Sequence, residues 1–161
     1  MLDSRAAFLA SFLKYVSLDR RKIIRGGIAN CIMAQKLVYF GKTLGLPLDY
    51  DFNLYLYGPY SSALADDYFR MGEEEWGSGQ IEITASVSSV LDELRKRDDL
   101  FLEIAATLHS LKTANPDASY GSIIKAVSDL KADRTRKKVC LLNTSGRHSR
   151  FSGLISVHRF V

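Results

Sequence analysis

Apolar residues at spacings of three and four recur along most of this chain, and that period constrains the fold more than any other feature. Leu2, Ala6, Leu9, Leu13 and Val16 mark a helix over 5–16, which Asp3 or Ser4 can cap. After the basic stretch 19–25, DRRKIIR, Gly26 and Gly27 interrupt. A longer helix then runs to about Leu44 on Ile28, Ile32, Met33, Leu37, Phe40 and Leu44, with Gly45 and Pro47 as stop signals. Val87–Arg97 and Asp98–Lys112 continue the period through Val90, Leu94, Leu102, Ala105, Leu108 and Leu111. Asn115-Pro116-Asp117 reads as the start of a further helix burying Ile123, Ile124, Val127 and Leu130. A last basic helix is expected over 133–142.

Two segments break the helical period. Asp51–Tyr57 is aromatic and partly alternating, which predicts a strand ended by Gly58-Pro59. Ser61 or Ser62 then caps a helix to about Met71, with Leu64, Tyr68 and Met71 on one face. Gln80-Ile81-Glu82-Ile83-Thr84 alternates cleanly and reads as a second strand, able to pair with the first as a small antiparallel ribbon. The expected fold class is mainly α (α+β): one helical domain over 1–142 with a small β-ribbon and a winged-helix-like core. Residues 143–161 form a basic C-terminal tail.

Charge divides the chain unevenly. Residues 1–130 carry 14 Lys and Arg against 17 Asp and Glu, whereas residues 131–161 carry eight against one. A basic tail suits an anionic partner, nucleic acid among them, and equally suits a solvated tail. The candidate phosphate contacts are Arg20, Arg21, Lys22 and Arg25, and then Arg134, Arg136, Lys137 and Lys138. The 61–71 helix is a poor groove reader, because Asp66 and Asp67 outweigh Arg70. No apolar run reaches membrane-spanning length, and the first residues have neither a basic n-region nor a long apolar block. Two cysteines, Cys31 and Cys140, fit a reducing cytoplasm better than a disulfide scaffold.

Catalytic and metal chemistry find little support. His109, His148 and His158 are scattered, and neither CxxC nor HExxH occurs. Cys31 sits in an apolar-patterned helix, Glu73-Glu74-Glu75 reads as a solvated loop, and Gly26-Gly27 makes no phosphate loop. No cofactor, metal or catalytic residue is expected. The unusual chemistry lies in Tyr55–Ser62. There tyrosines offer amphipathic contact surface, glycine and proline shape a turn, and serine hydroxyls can hold the next helix's amides. Gln35 and Tyr39 share a helix face, and a buried Gln35 needs a partner, for which the backbone of that corner is one candidate. The candidate partner-binding or structural corner is therefore Gln35, Lys36, Tyr39, Tyr57, Gly58, Pro59, Tyr60, Ser61 and Ser62.

Gln35-Lys36-Leu37-Val38-Tyr39-Phe40, Leu44-Gly45, Tyr50-Asp51-Phe52 and the run Tyr55–Asp67 resemble the YwgA-like group of uncharacterised prokaryotic proteins. More distantly, they resemble the Panacea, or SocA-like antitoxin, domain. The shared signature is a QKL-aromatic helix followed by a Tyr-Gly-Pro turn into a helix; Panacea domains usually read Gly-Pro-Val where this chain reads Gly58-Pro59-Tyr60. The resemblance implies a mainly helical domain that binds another protein, such as a toxin to be neutralised or a client to be presented. The reading is a non-enzymatic protein–protein interaction module, with a DNA- or RNA-binding regulator as the alternative.

Overall fold

Residues 4–76 and 81–131 are described by the computed structural model. They form seven helices and one two-stranded ribbon: α1 Ser4–Tyr15, α2 Arg20–Arg25, α3 Ile28–Thr43, β1 Asn53–Tyr55, β2 Gly58–Tyr60, α4 Ser62–Arg70, α5 Ala85–Leu94, α6 Asp99–Ala114 and α7 Tyr120–Leu130. The fold is mainly helical with a small antiparallel sheet. The chain divides into two compact units, Met1–Glu103 and Ile104–Val161. The expected helix at 133–142, the tail at 143–161 and the basic cluster Arg134, Arg136, Lys137 and Lys138 lie outside the described residues, as do Cys140, His148 and His158.

In the first unit α3 is the central element, packing against α2, α5 and β2, while α1 packs on α4. Its helical pattern predicts one apolar stripe, but the structure differs. Ala34, Gln35, Lys36, Leu37, Val38, Tyr39, Phe40 and Gly41 are buried without a break, whereas Ile28 is exposed. A helix covered on every side no longer sorts its residues by face. Gln35 and Lys36 therefore enter the core together with Leu37 and Val38. Leu9, Phe12, Leu13, Leu64, Tyr68, Leu91 and Leu94 are among the residues that complete this core. Gly41 is a packing requirement. A Cβ built there would stand 2.7 Å from Leu48 and 3.0 Å from Phe12.

The ribbon is not the one the sequence predicts. Gly58 takes φ +81°, and the chain turns through Leu56 and Tyr57. Gly58-Pro59-Tyr60 then runs back along β1 instead of ending it, pairing Asn53 with Tyr60, Leu54 with Pro59 and Tyr55 with Gly58. Pro59 has no N–H to donate and is tolerated because a two-stranded ribbon is all edge. Residues 81–84 form no strand. Their alternation survives as burial, with Ile81 and Ile83 half-buried and Glu82 and Thr84 exposed, but the matching strand partner is β2.

In the second unit Ile104, Ala105, Ala106, Leu108, Ile123 and Val127 are buried. Asn115-Pro116-Asp117 does not start α7. The Asn115 amide bonds back to Leu111, and the Lys112 ammonium holds the carbonyls of Pro116 (2.6 Å) and Ala118 (2.7 Å). The segment thus closes α6, and Ser119 caps α7 through the amide of Ser122. The buried stripe of α7 is narrower than its sequence suggests: Ile124 is half-buried and Leu130 exposed.

Gly41→Ala is expected to destabilise the protein by about 1–3 kcal/mol, because the new methyl must displace Leu48 or Phe12. Urea denaturation would show this as a lower midpoint at unchanged slope.

Candidate functional site

Gln35 and Lys36 project from the middle of α3 toward the ribbon and the start of α4. The Gln35 side-chain amide donates through Nε2 to the Ser61 carbonyl at 2.9 Å and accepts the Ser61 N–H on Oε1 at 2.9 Å. One amide therefore bonds both main-chain polar groups of one buried residue. Lys36, 1% exposed, donates its ammonium to the Pro59 carbonyl. Ser61 in turn accepts the Leu64 amide on its hydroxyl and caps α4. Gly58 and Pro59 are also buried. The inner side of the corner is thus a set of main-chain groups held by side chains of α3.

A second set of contacts fixes α4 and the chain leading into β1. Asp67 accepts the Tyr50 hydroxyl at 2.8 Å and the Arg5 Nε at 3.0 Å, and the Arg5 guanidinium lies over the Tyr50 ring. Burial, with the Asp67 carboxylate beside it, pushes the Tyr50 phenol well above its ordinary range; burial does the same to Tyr68. Lys42 holds the Tyr50 carbonyl and pairs with Asp51. Sequence reading missed the Arg5–Asp67–Tyr50 network, because its members are 62 and 17 residues apart and no local spacing signals them.

The tyrosines divide. Tyr39, expected in a contact surface, is buried edge-on against Phe40 and Phe52, because α3 is covered on that side too. Tyr57 and Tyr60 are half-buried, and Tyr60 meets Tyr55 edge to face at 5.5 Å. Ser62 is exposed. The outward surface is the ribbon tip: Leu54 is 44% exposed, Tyr55 60% and Leu56 74%. Tyr55 and Leu56 lie in the stretch that the sequence marks as unusual, but none of the three is among the corner residues named from it. The signal for them is the positive-φ glycine that places Leu56 and Tyr57 at the turn.

Of the basic residues in α2, Arg20 donates to the Met71 carbonyl at 3.0 Å and pairs with Glu73, which makes it a structural tie. Arg21, Lys22 and Arg25 are exposed. Cys31 is half-buried with its thiol near the Ile23 carbonyl, and burial pushes that thiol up. His109 is buried, and burial lowers its pKa. Among the described residues no three His, Cys, Asp or Glu side chains gather as a metal site, and no helix is long and apolar enough to cross a membrane. Comparison with protein families, curated proteins and solved structures finds no match.

Gln35→Ala should destabilise the protein by about 1–3 kcal/mol, since it takes the acceptor from the buried Ser61 N–H and leaves the Ser61 C=O only the Ala65 amide. Chemical denaturation checks the magnitude, and amide exchange at Ser61 checks the location. A second expectation concerns pH. Because the folded protein holds His109 below its ordinary value of 6.5, the unfolded chain binds the proton first. Stability therefore falls as pH drops through that value. His109→Gln should flatten the fall in urea midpoint between about pH 7.5 and about pH 5.

Proposed function

We propose that this chain is a cytoplasmic, non-enzymatic protein–protein interaction module that presents the β1–β2 tip to a protein partner. The observation that carries the reading is an exposed apolar tip on an immobilised base. Leu54, Tyr55 and Leu56 face solvent, while the main chain behind them is gripped by Gln35 and Lys36 from the core. Held rigidly, they lose little entropy on docking, which is how aromatic and aliphatic anchors contribute most to an interface. Tyr60, packed on Tyr55, supports the same tip from the other strand.

The resemblance of the Gln35–Asp67 region to YwgA-like and SocA-like proteins supports the same class of role, with a toxin or an effector as the kind of partner expected. The two cysteines suit a reducing compartment.

The test is affinity capture of the tagged protein from the lysate of its own cells, with nuclease treatment, followed by affinity measurement on the protein recovered. The triple variant Leu54→Ser, Tyr55→Ser, Leu56→Ser should weaken that affinity by about 100-fold or more with an unchanged denaturation midpoint. Unchanged affinity in a folded variant would remove the tip from the interface.

A further inference from the structure

The two outer edges of the β1–β2 ribbon are treated differently by the rest of the fold. In an antiparallel pair, opposed residues alternately exchange their main-chain hydrogen bonds and turn those groups outward. Pro59 has no N–H to exchange, so its pair with Leu54 is of the outward kind, flanked by the exchanging pairs Asn53–Tyr60 and Tyr55–Gly58. On the β2 side α3 meets the outward groups. Lys36 takes the Pro59 carbonyl, and two residues on, just past β2, Gln35 takes both the N–H and the carbonyl of Ser61. On the β1 side the outward groups are the N–H and carbonyl of Leu54. Among the described residues neither has a hydrogen-bond partner.

Both faces of β1 are open as well. Asn53, Leu54 and Tyr55 are all exposed, and Leu54 and Tyr55 point to opposite faces of the ribbon. A flat partner surface laid on one face would reach one of these two side chains. A strand laid along the edge reaches both, and it also brings an acceptor and a donor to the Leu54 main chain. Open edges are ordinarily guarded by a lysine, a proline or a bulge. The proline of this ribbon sits on the strand that α3 already covers, and β1 reads Asn-Leu-Tyr, with no charge. Charge gathers just upstream, where Asp49 and Asp51 are both exposed. Lys42 is shared between Asp51 (3.6 Å) and the Tyr50 carbonyl, and Arg5, over the Tyr50 ring, is paired with Asp67. The approach to the edge therefore carries an excess of carboxylate.

We infer that β1 is an acceptor for strand addition. The partner contributes an extended segment with basic side chains, which pairs through its main chain with Leu54 and sets its cations beside Asp49 and Asp51. The inference rests on the reading of the ribbon tip as a protein-docking element, and it specifies how that partner is recognised. Main-chain pairing supplies affinity, while Leu54, Tyr55 and the two aspartates set the sequence preference.

The probe is a synthetic peptide of about ten residues, alternating lysine and valine, titrated into the full-length protein. Saturable binding is expected, with hydrogen exchange at the Leu54 amide slowed about tenfold or more in the complex. Leu54→Pro removes that one amide at a position facing away from β2 and should weaken the peptide about tenfold; Leu54→Ser keeps the amide and should keep its protection. Asp49→Asn combined with Asp51→Asn should weaken binding and flatten its salt dependence. Absence of saturable binding overturns the inference, as does binding that leaves exchange at Leu54 unchanged. The exchange measurement is made on the unmodified chain and so decides the matter whether or not the proline variant folds. Protection of Leu54 that grows with protein concentration, without peptide, assigns the edge to a second copy and also overturns the inference. The tip is judged separately. A captured protein whose affinity falls with the triple serine variant, but which leaves the Leu54 amide unprotected, keeps the tip as a docking surface and removes strand addition.

Discussion

The two hydrogen bonds between the Gln35 side chain and the main chain of Ser61 are the constraint around which the first unit is arranged. A helix buried on all sides sits in an environment where unpaired peptide groups are heavily penalised. The chain that passes beside α3 must leave a ribbon and enter a helix there, so it carries peptide groups that the ladder of β1 and β2 does not reach. Gln35 supplies one donor and one acceptor at fixed separation, which is what a residue would have received from a neighbouring antiparallel strand. Lys36 adds a third such bond, to the Pro59 carbonyl. The amino end of α4, the return of β2 and the centre of α3 are thereby locked in one register.

The remaining fixed points extend this lock outward. Asp67 gathers Tyr50 and Arg5 on one carboxylate oxygen, joining α4 to α1 and to the segment entering β1. Tyr39 fills the space beneath with its ring between Phe40 and Phe52. The result is a gradient along a few residues, from Pro59 and Ser61, whose main chain is held on the inner side, to the exposed Leu56.

Much of the helical architecture was legible in the sequence, because apolar period and start and stop signals are local. The termination near Leu44, the cap at Ser61 and the buried face of α4 all follow from residues within one or two turns. The errors share a different cause. The second strand was sought at 80–84, where alternation is visible, and missed at 58–60, where one glycine φ angle decides the matter and no alternation exists. The start of α7 was placed at Asn115 because the competing demand, Lys112 holding the Pro116 and Ala118 carbonyls, depends on where a long side chain happens to reach. Tyr39 was assigned to a surface because helical spacing identifies a shared face but not whether that face is covered. For the corner, residue identity was legible and orientation was not. Gln35 announced a need for partners, yet only the fold shows that the need is met inside the protein.

The grip of α3 on the corner is made through carbonyls and one amide of the main chain, at Pro59 and Ser61. Such contacts do not depend on which side chains the tip carries. Substitutions at Leu54, Tyr55 or Leu56 therefore leave each of these main-chain bonds its donor and its acceptor, so the frame and the face it carries are chemically separable.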